Sequence, residues 1–234
     1  MRLRHAVVAE FLGSALLLAT VVGSGIMGER LAGGNVGIAL LANTLATGAG
    51  LVALIATFIN ISGAHFNPIV TLAEVCLGKL RWKHAGAYVV AQGLGAIAGV
   101  VAAHGMFDLP LIEVSGHVRT GPSQWWSEVV ASFGLLTVIL NVAKRRLEFV
   151  PVAVGGYITA AYWFTASTSF ANPTVTIARS LTDTFAGIRP VDAPGFILSQ
   201  LVGGALAVVM FLWFERLHSL PRSATDAVVE QGTK

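Results

Sequence analysis

The chain reads as an all-α membrane protein: a bundle of six transmembrane helices plus two re-entrant half-helices, arranged as an inverted 3+3 repeat. Three observations predict this. First, 55% of the residues are hydrophobic and only 12% charged, with a mean hydropathy of +0.74; soluble domains carry roughly 25% charged residues. Second, six apolar segments approach the roughly 20 residues that a bilayer span requires. Third, an Asn-Pro pair occurs twice inside apolar sequence, as HFNPIVTLAEVC (His65–Cys76) and SFANPTVTIARS (Ser169–Ser180).

The six apolar segments run over about 6–27, 36–58, 85–103, 125–142, 150–164 and 194–214. The first has a run too long for a signal-peptide core and no small-residue cleavage site after it, so it is expected to be kept as a span. The fifth is short and weakly bounded. Two shorter pieces remain, near 67–77 and 172–185. Ten helical residues reach about 15 Å, half the hydrocarbon thickness. The polar segment 217–234 reads as a frayed tail. The whole chain, 1–234, reads as a single domain, with repeat one at about 6–103 and repeat two at about 124–214.

The basic residues fall in short clusters between apolar runs, so membrane topology explains the pI of 9.4 better than nucleic acid does. Arg2, Arg4, Lys79, Arg81, Lys83, Lys144, Arg145, Arg146, Arg216, Arg222 and Lys234 share one side of a six-span bundle. Arg30, Arg119, Arg189 and Arg179 are left for the other. This asymmetry places both termini in the cytoplasm. The longest external connection, about 104–123, is expected to fold over a pore mouth. One cysteine, Cys76, excludes an internal disulfide. The six histidines show no ligand spacing, so no metal is expected. Ser62, Ser169 and His65 show no nucleophile–base spacing, so no enzyme is expected either.

The Asn-Pro pieces are not the only repetition. AEFLGSALLL (Ala9–Leu18) resembles SEVVASFGLL (Ser127–Leu136), and AQGLGAIAGVV (Ala91–Val101) resembles SQLVGGALAVV (Ser199–Val209). The order Glu10, Asn67, Gln92 thus recurs as Glu128, Asn172, Gln200. Each half holds three spans, and an odd number inverts the second half across the membrane plane. Non-helical backbone at membrane depth is tolerated only where it is buried in protein or lines a wet cavity. Two half-helices entering from opposite faces therefore imply a polar pathway.

Asn is a strong helix N-cap, and Pro suits the first helical position because it has no N–H to leave unpaired. Asn67-Pro68 and Asn172-Pro173 are each expected to start a half-helix at the bilayer centre. Each N-terminus carries about half a positive charge from aligned peptide dipoles, which disfavours a cation there. Each Asn amide is expected to donate to a passing water or hydroxyl oxygen and interrupt proton hopping. Small residues at helical spacing, in GLGAIAG (Gly93–Gly99) and at Gly155 and Gly203, allow close helix crossings. Trp82, Trp125, Trp126, Trp163 and Trp213 lie near span ends, as an interfacial belt would.

These motifs resemble the aquaporin, or major intrinsic protein, family from about residue 6 to 214. SGAHFNPIVTLA is nearly that family's first-half signature, with Ile69 where Ala is usual. The resemblance implies a homotetramer in the bacterial inner (plasma) membrane with one pore per subunit. It implies passage of water or small uncharged solutes in either direction without a cofactor, with the lipid bilayer and small neutral solutes as partners and no nucleic acid. It also implies that Glu10 and Glu128 buttress the re-entrant loops, that Gln92 and Gln200 tie loop backbone similarly, and that His65 lies in the cytoplasmic vestibule.

The chain departs from the family at the outer constriction. Where the second signature has arginine, three residues after Asn, stands Val175. The partner position on the second span is Thr47, where an aromatic is usual, and the loop position is Ser169. The fifth-span partner is either Ala160 or Tyr162, depending on which end the count starts from. A wide, weakly charged filter follows, resembling an atypical bacterial branch with arsenite-conducting members; arsenite, glycerol and similar polyols are the expected solutes. Arg179, one helical turn beyond Val175, either lines the external vestibule or snorkels to the headgroups. The rival reading is a proton- or ion-coupled secondary transporter, which also uses inverted repeats and broken helices.

Overall fold

A computed structural model describes residues 3–219. Eight α-helices follow in order: α1 (Leu3–Leu31), α2 (Val36–Ser62), α3 (Pro68–Cys76), α4 (Trp82–Met106), α5 (Pro122–Arg145), α6 (Val150–Phe164), α7 (Pro173–Arg179) and α8 (Ala193–Ser219). No strand occurs among the described residues. Single 3-10 turns precede α6 and α8. Six of these segments are long and apolar enough to cross a membrane. Of the expected tail at 217–234, residues 217–219 continue α8, which corrects its start; residues 220–234, with Arg222 and Lys234, and Arg2 lie outside the described residues.

The spans fall where hydropathy puts them, but several are longer, because hydropathy stops at the first polar residue whereas a helix continues until something caps or breaks it. α1 runs on to Leu31, and α4 begins at Trp82. α2 shows both kinds of boundary. Asn35 opens it, its Oδ1 accepting from the Ile38 N–H at 3.2 Å. Gly63 closes it at φ +90°, a conformation that only glycine adopts freely.

The two half-helices differ. α3 has nine residues, as expected for 67–77. α7 has only seven and ends at Arg179, so the expected helix to Phe185 is corrected. The segment after Arg179 turns back instead: the Ile188 N–H donates to the Arg179 carbonyl at 3.2 Å.

Helix contacts follow the repeat. α1 packs on α4 and α2, and α5 packs on α8 and α6. The halves meet where α2 packs on α6 and where each half-helix touches the last span of the other half. The small residues explain the closeness of these crossings. A Cβ on Gly95 would lie 2.2 Å from the Phe11 carbonyl oxygen, and one on its repeat mate Gly203 would lie 2.3 Å from that of Val129. A Cβ on Gly155 would meet the Gly48 carbonyl oxygen at 2.7 Å. Backbone touches backbone at all three, so no larger residue fits. All five tryptophans are exposed on the outer surface, as a belt requires.

The external connection folds back over the bundle end. Its backbone pairs with the segment after α7, through Glu113 N–H to Leu181 O and Ser115 N–H to Ser180 O. His104, the first residue of the expected loop, belongs to α4. It is fully buried, bonding the Pro110 carbonyl through Nδ1 and Thr182 Oγ1 at 2.7 Å through Nε2.

Candidate functional site

The half-helices meet tip to tip. Asn67 Oδ1 caps α3 by accepting from the Ile69 N–H at 3.0 Å, and Asn172 Oδ1 caps α7 by accepting from the Thr174 N–H at 3.0 Å. The amide nitrogens do something the sequence did not show. Asn67 Nδ2 donates to the Ala171 carbonyl and Asn172 Nδ2 to the Phe66 carbonyl, each at 2.8 Å. Each Asn therefore clasps the opposite loop, joining the halves at the midplane. An amide nitrogen has two hydrogens, and one is committed here. One N–H per Asn is left for the donation to a solute oxygen that the sequence leads one to expect.

The loops before the tips are strained in matching places. Ala64 and Phe66 have φ of 50° and 48°, and their mates Ser169 and Ala171 have 50° and 47°. Non-glycine residues occupy this region only when the surroundings hold them there. The hold is a buried carboxylate in each half. Glu10 accepts from the His65 N–H at 2.9 Å, the Phe66 N–H at 2.7 Å, Ser62 Oγ at 2.6 Å and Gln92 Nε2 at 2.7 Å. Glu128 accepts from the Phe170 N–H at 2.9 Å, the Ala171 N–H at 2.8 Å and Gln200 Nε2 at 2.6 Å. Both side chains are fully buried.

Gln92 and Gln200 do not bond loop backbone, which corrects the expectation for them. Each donates to its carboxylate and to a threonine, Thr71 Oγ1 at 3.0 Å or Thr176 Oγ1 at 2.9 Å. Those hydroxyls donate in turn to the Asn67 and Asn172 carbonyls, closing the network on the tips. Sequence reasoning missed both threonines. The signal was present: Thr stands four residues after Asn in both copies of NPxVT, within reach of the cap carbonyl.

One cavity runs past both tips. Its wall includes Thr47, His65, Asn67, Tyr162, Ser169, Asn172, Val175 and Arg179, with Leu17, Val21, Leu51, Ile55, Val154 and Ile158 as the apolar side. Of the two fifth-span candidates, Tyr162 is buried and its hydroxyl donates to Thr47 Oγ1 at 3.4 Å. Ala160 is exposed on the outer face of α6 and absent from the wall, so it is corrected. Pro68 and Pro173 open the half-helices and are buried beside the tips. His65 lies on the wall, its Nδ1 3.1 Å from Thr71 Oγ1 and its ring edge-on to Tyr88. The second half mirrors that pair with Phe170 and Phe196.

Arg179 does not snorkel. It is 2% exposed, lines the cavity, donates through Nε to the Ala186 carbonyl, and holds its guanidinium carbon 3.5 Å from the centroid of Phe170. The short α7 explains this, because the chain that folds back after Arg179 covers it. Arg119, from the external connection, also stands over Phe170 at 5.2 Å and donates to the Gly187 and Phe185 carbonyls. No local pattern marked Arg119. No group of three or more metal-ligating side chains occurs among the described residues.

Comparisons agree with this architecture. A family model described as "Major intrinsic protein" matches residues 1–150. The chain is 55% identical to the aquaglyceroporin AqpS of Rhizobium meliloti (strain 1021), over 88% of each chain. It is 30% identical to the aquaporin AqpM of Methanothermobacter marburgensis, over 87% of this chain and 94% of that one. Among solved structures, the aquaglyceroporin of Plasmodium falciparum shares the fold, with a TM-score of 0.67 at 22% identity over 91% of this chain and 95% of that one. Two capped half-helices meeting beside one cavity, an inverted repeat and these likenesses together place the chain in the major intrinsic protein family.

Proposed function

We propose that the chain is a passive transmembrane channel for small uncharged solutes: glycerol and similar polyols, metalloid hydroxides such as arsenite, and water. The observation that carries this reading is the reciprocal Asn67–Ala171 and Asn172–Phe66 clasp beside one cavity. Both half-helix N-termini converge there, so their dipoles oppose a cation. The one uncommitted N–H on each Asn serves a neutral solute's oxygen. Thr47, Ser169, Tyr162 and Val175 form the outer filter, with His65 in the cytoplasmic vestibule.

The likeness to a named aquaglyceroporin supports the solute class. Coupled transport is the weaker reading, because both buried carboxylates are occupied by loop donors and neither belongs to the cavity wall. By the family resemblance the channel is a homotetramer in the plasma membrane, and the basic-residue asymmetry puts both termini in the cytoplasm.

Stopped-flow swelling of proteoliposomes tests the proposal across water, glycerol and arsenite, with proton leak monitored. The expected result is flux above empty liposomes, independent of a proton gradient. Gradient-dependent uptake would replace the channel with a transporter.

A further inference from the structure

We propose that the outer mouth of the cavity holds a binding site for a small oxyanion, of the class of formate, gripped by Arg179 and held by the charge of Arg119. Arg179 is buried and its Nε bonds a neutral carbonyl. Among the described residues, no acceptor meets its two Nη nitrogens and no carboxylate forms an ion pair with it. A second guanidinium, that of Arg119, stands over the same Phe170 ring and bonds only carbonyls through its side chain.

None of the nearby acids pairs with the Arg179 guanidinium. Glu128, whose field reaches both arginines, spends its oxygens on Phe170, Ala171 and Gln200. Asp192 takes the Arg189 guanidinium and the Arg119 backbone N–H. Asp183 accepts from the Gly116 N–H. A buried charge demands a partner, and two cations at one ring demand it more. The planar Nη pair matches a carboxylate's two oxygens. This inference concerns the mouth and does not depend on the channel reading.

The test is thermal unfolding of the detergent-purified full chain with sodium formate at pH 7.5. Formamide serves as the neutral analogue of similar shape and sodium chloride as the ionic-strength control. A ligand that binds only the folded state raises the midpoint saturably. Formate alone is expected to do so, Arg179→Gln to abolish the shift, and Arg119→Gln to move the titration to higher formate. If Arg179→Gln does not fold, Arg179→Lys keeps a charge but loses the fork and is expected to weaken binding. Equal shifts from formate and formamide, or from formate and chloride, overturn the proposal. So does a wild-type formate titration in both Arg119→Gln and Arg179→Lys. A chain that conducts glycerol but ignores formate defeats this inference alone. One that binds formate but conducts nothing defeats only the channel.

Discussion

Replacing Gly13 by Ala should destabilise the protein, and the same replacement should stabilise it once Phe66 is Ala. Gly13 lies on α1 one turn from Glu10. A Cβ there would sit 1.9, 2.3 and 2.6 Å from three carbons of the Phe66 ring. Ordinary carbon contacts begin near roughly 3.5 Å, so the ring must retreat by about 1.5 Å. Phe66 is 2% exposed and packs edge-on against Phe58 at 5.9 Å, so any retreat disturbs packed neighbours. Its backbone carbonyl holds Asn172, so the clash is transmitted to the tips.

Overpacking of this kind costs about 3 kcal/mol. Better helix propensity returns about 1 kcal/mol, leaving Gly13→Ala about 2 kcal/mol destabilised. Phe66→Ala alone opens a cavity and costs about 3–5 kcal/mol. With the ring gone, only the propensity gain and some cavity filling remain, so Gly13→Ala should recover about 1 kcal/mol. The second half already has this packing, because the mates of Gly13 and Phe66 are Ala131 and Ala171. The assay is a double-mutant cycle by denaturant or thermal unfolding in micelles, with water flux measured in parallel. If Gly13→Ala moves stability in the same direction in both backgrounds, the ring contact is not what selects glycine.

Other expectations follow from the same geometry. Val175→Arg should suppress glycerol and arsenite flux more than water flux in proteoliposomes; unchanged flux ratios would refute the filter assignment. Tyr162→Ala should alter solute ratios whereas Ala160→Phe leaves them near wild type, and the reverse pattern would restore Ala160 to the filter. Glu10→Gln should set an amide nitrogen against the Phe66 N–H in one orientation and against the His65 N–H in the other. At about 1–3 kcal/mol per unsatisfied buried donor, the unfolding midpoint should fall by several degrees. A midpoint equal to wild type would show that the carboxylate does not hold the loop.

How much of this could be read in advance depends on the range of the interaction. Hydropathy, Asn-Pro capping and repeat order are local or periodic properties, and they placed the six spans, both half-helices and the glutamate–glutamine pairs. Residue 160 or 162 could not be chosen from sequence, because the count from Asn172 and the count from Pro151 disagree by the two residues the connecting loop lacks. Arg179 was undecidable for a related reason. Whether it meets lipid or lumen depends on α7 stopping after seven residues, and that stop is imposed by contacts with the external connection.

The sequence by itself determined the solvent, the number of crossings, the inversion and the identity of the two tips, because apolar length, helix capping and an odd span count act without reference to distant residues. Only the tertiary structure decided where each Asn amide donates, which side of α6 faces the lumen, and that Arg119 and Arg179 share one aromatic ring. Those depend on groups far apart in the chain arriving together, and no local pattern encodes their arrival.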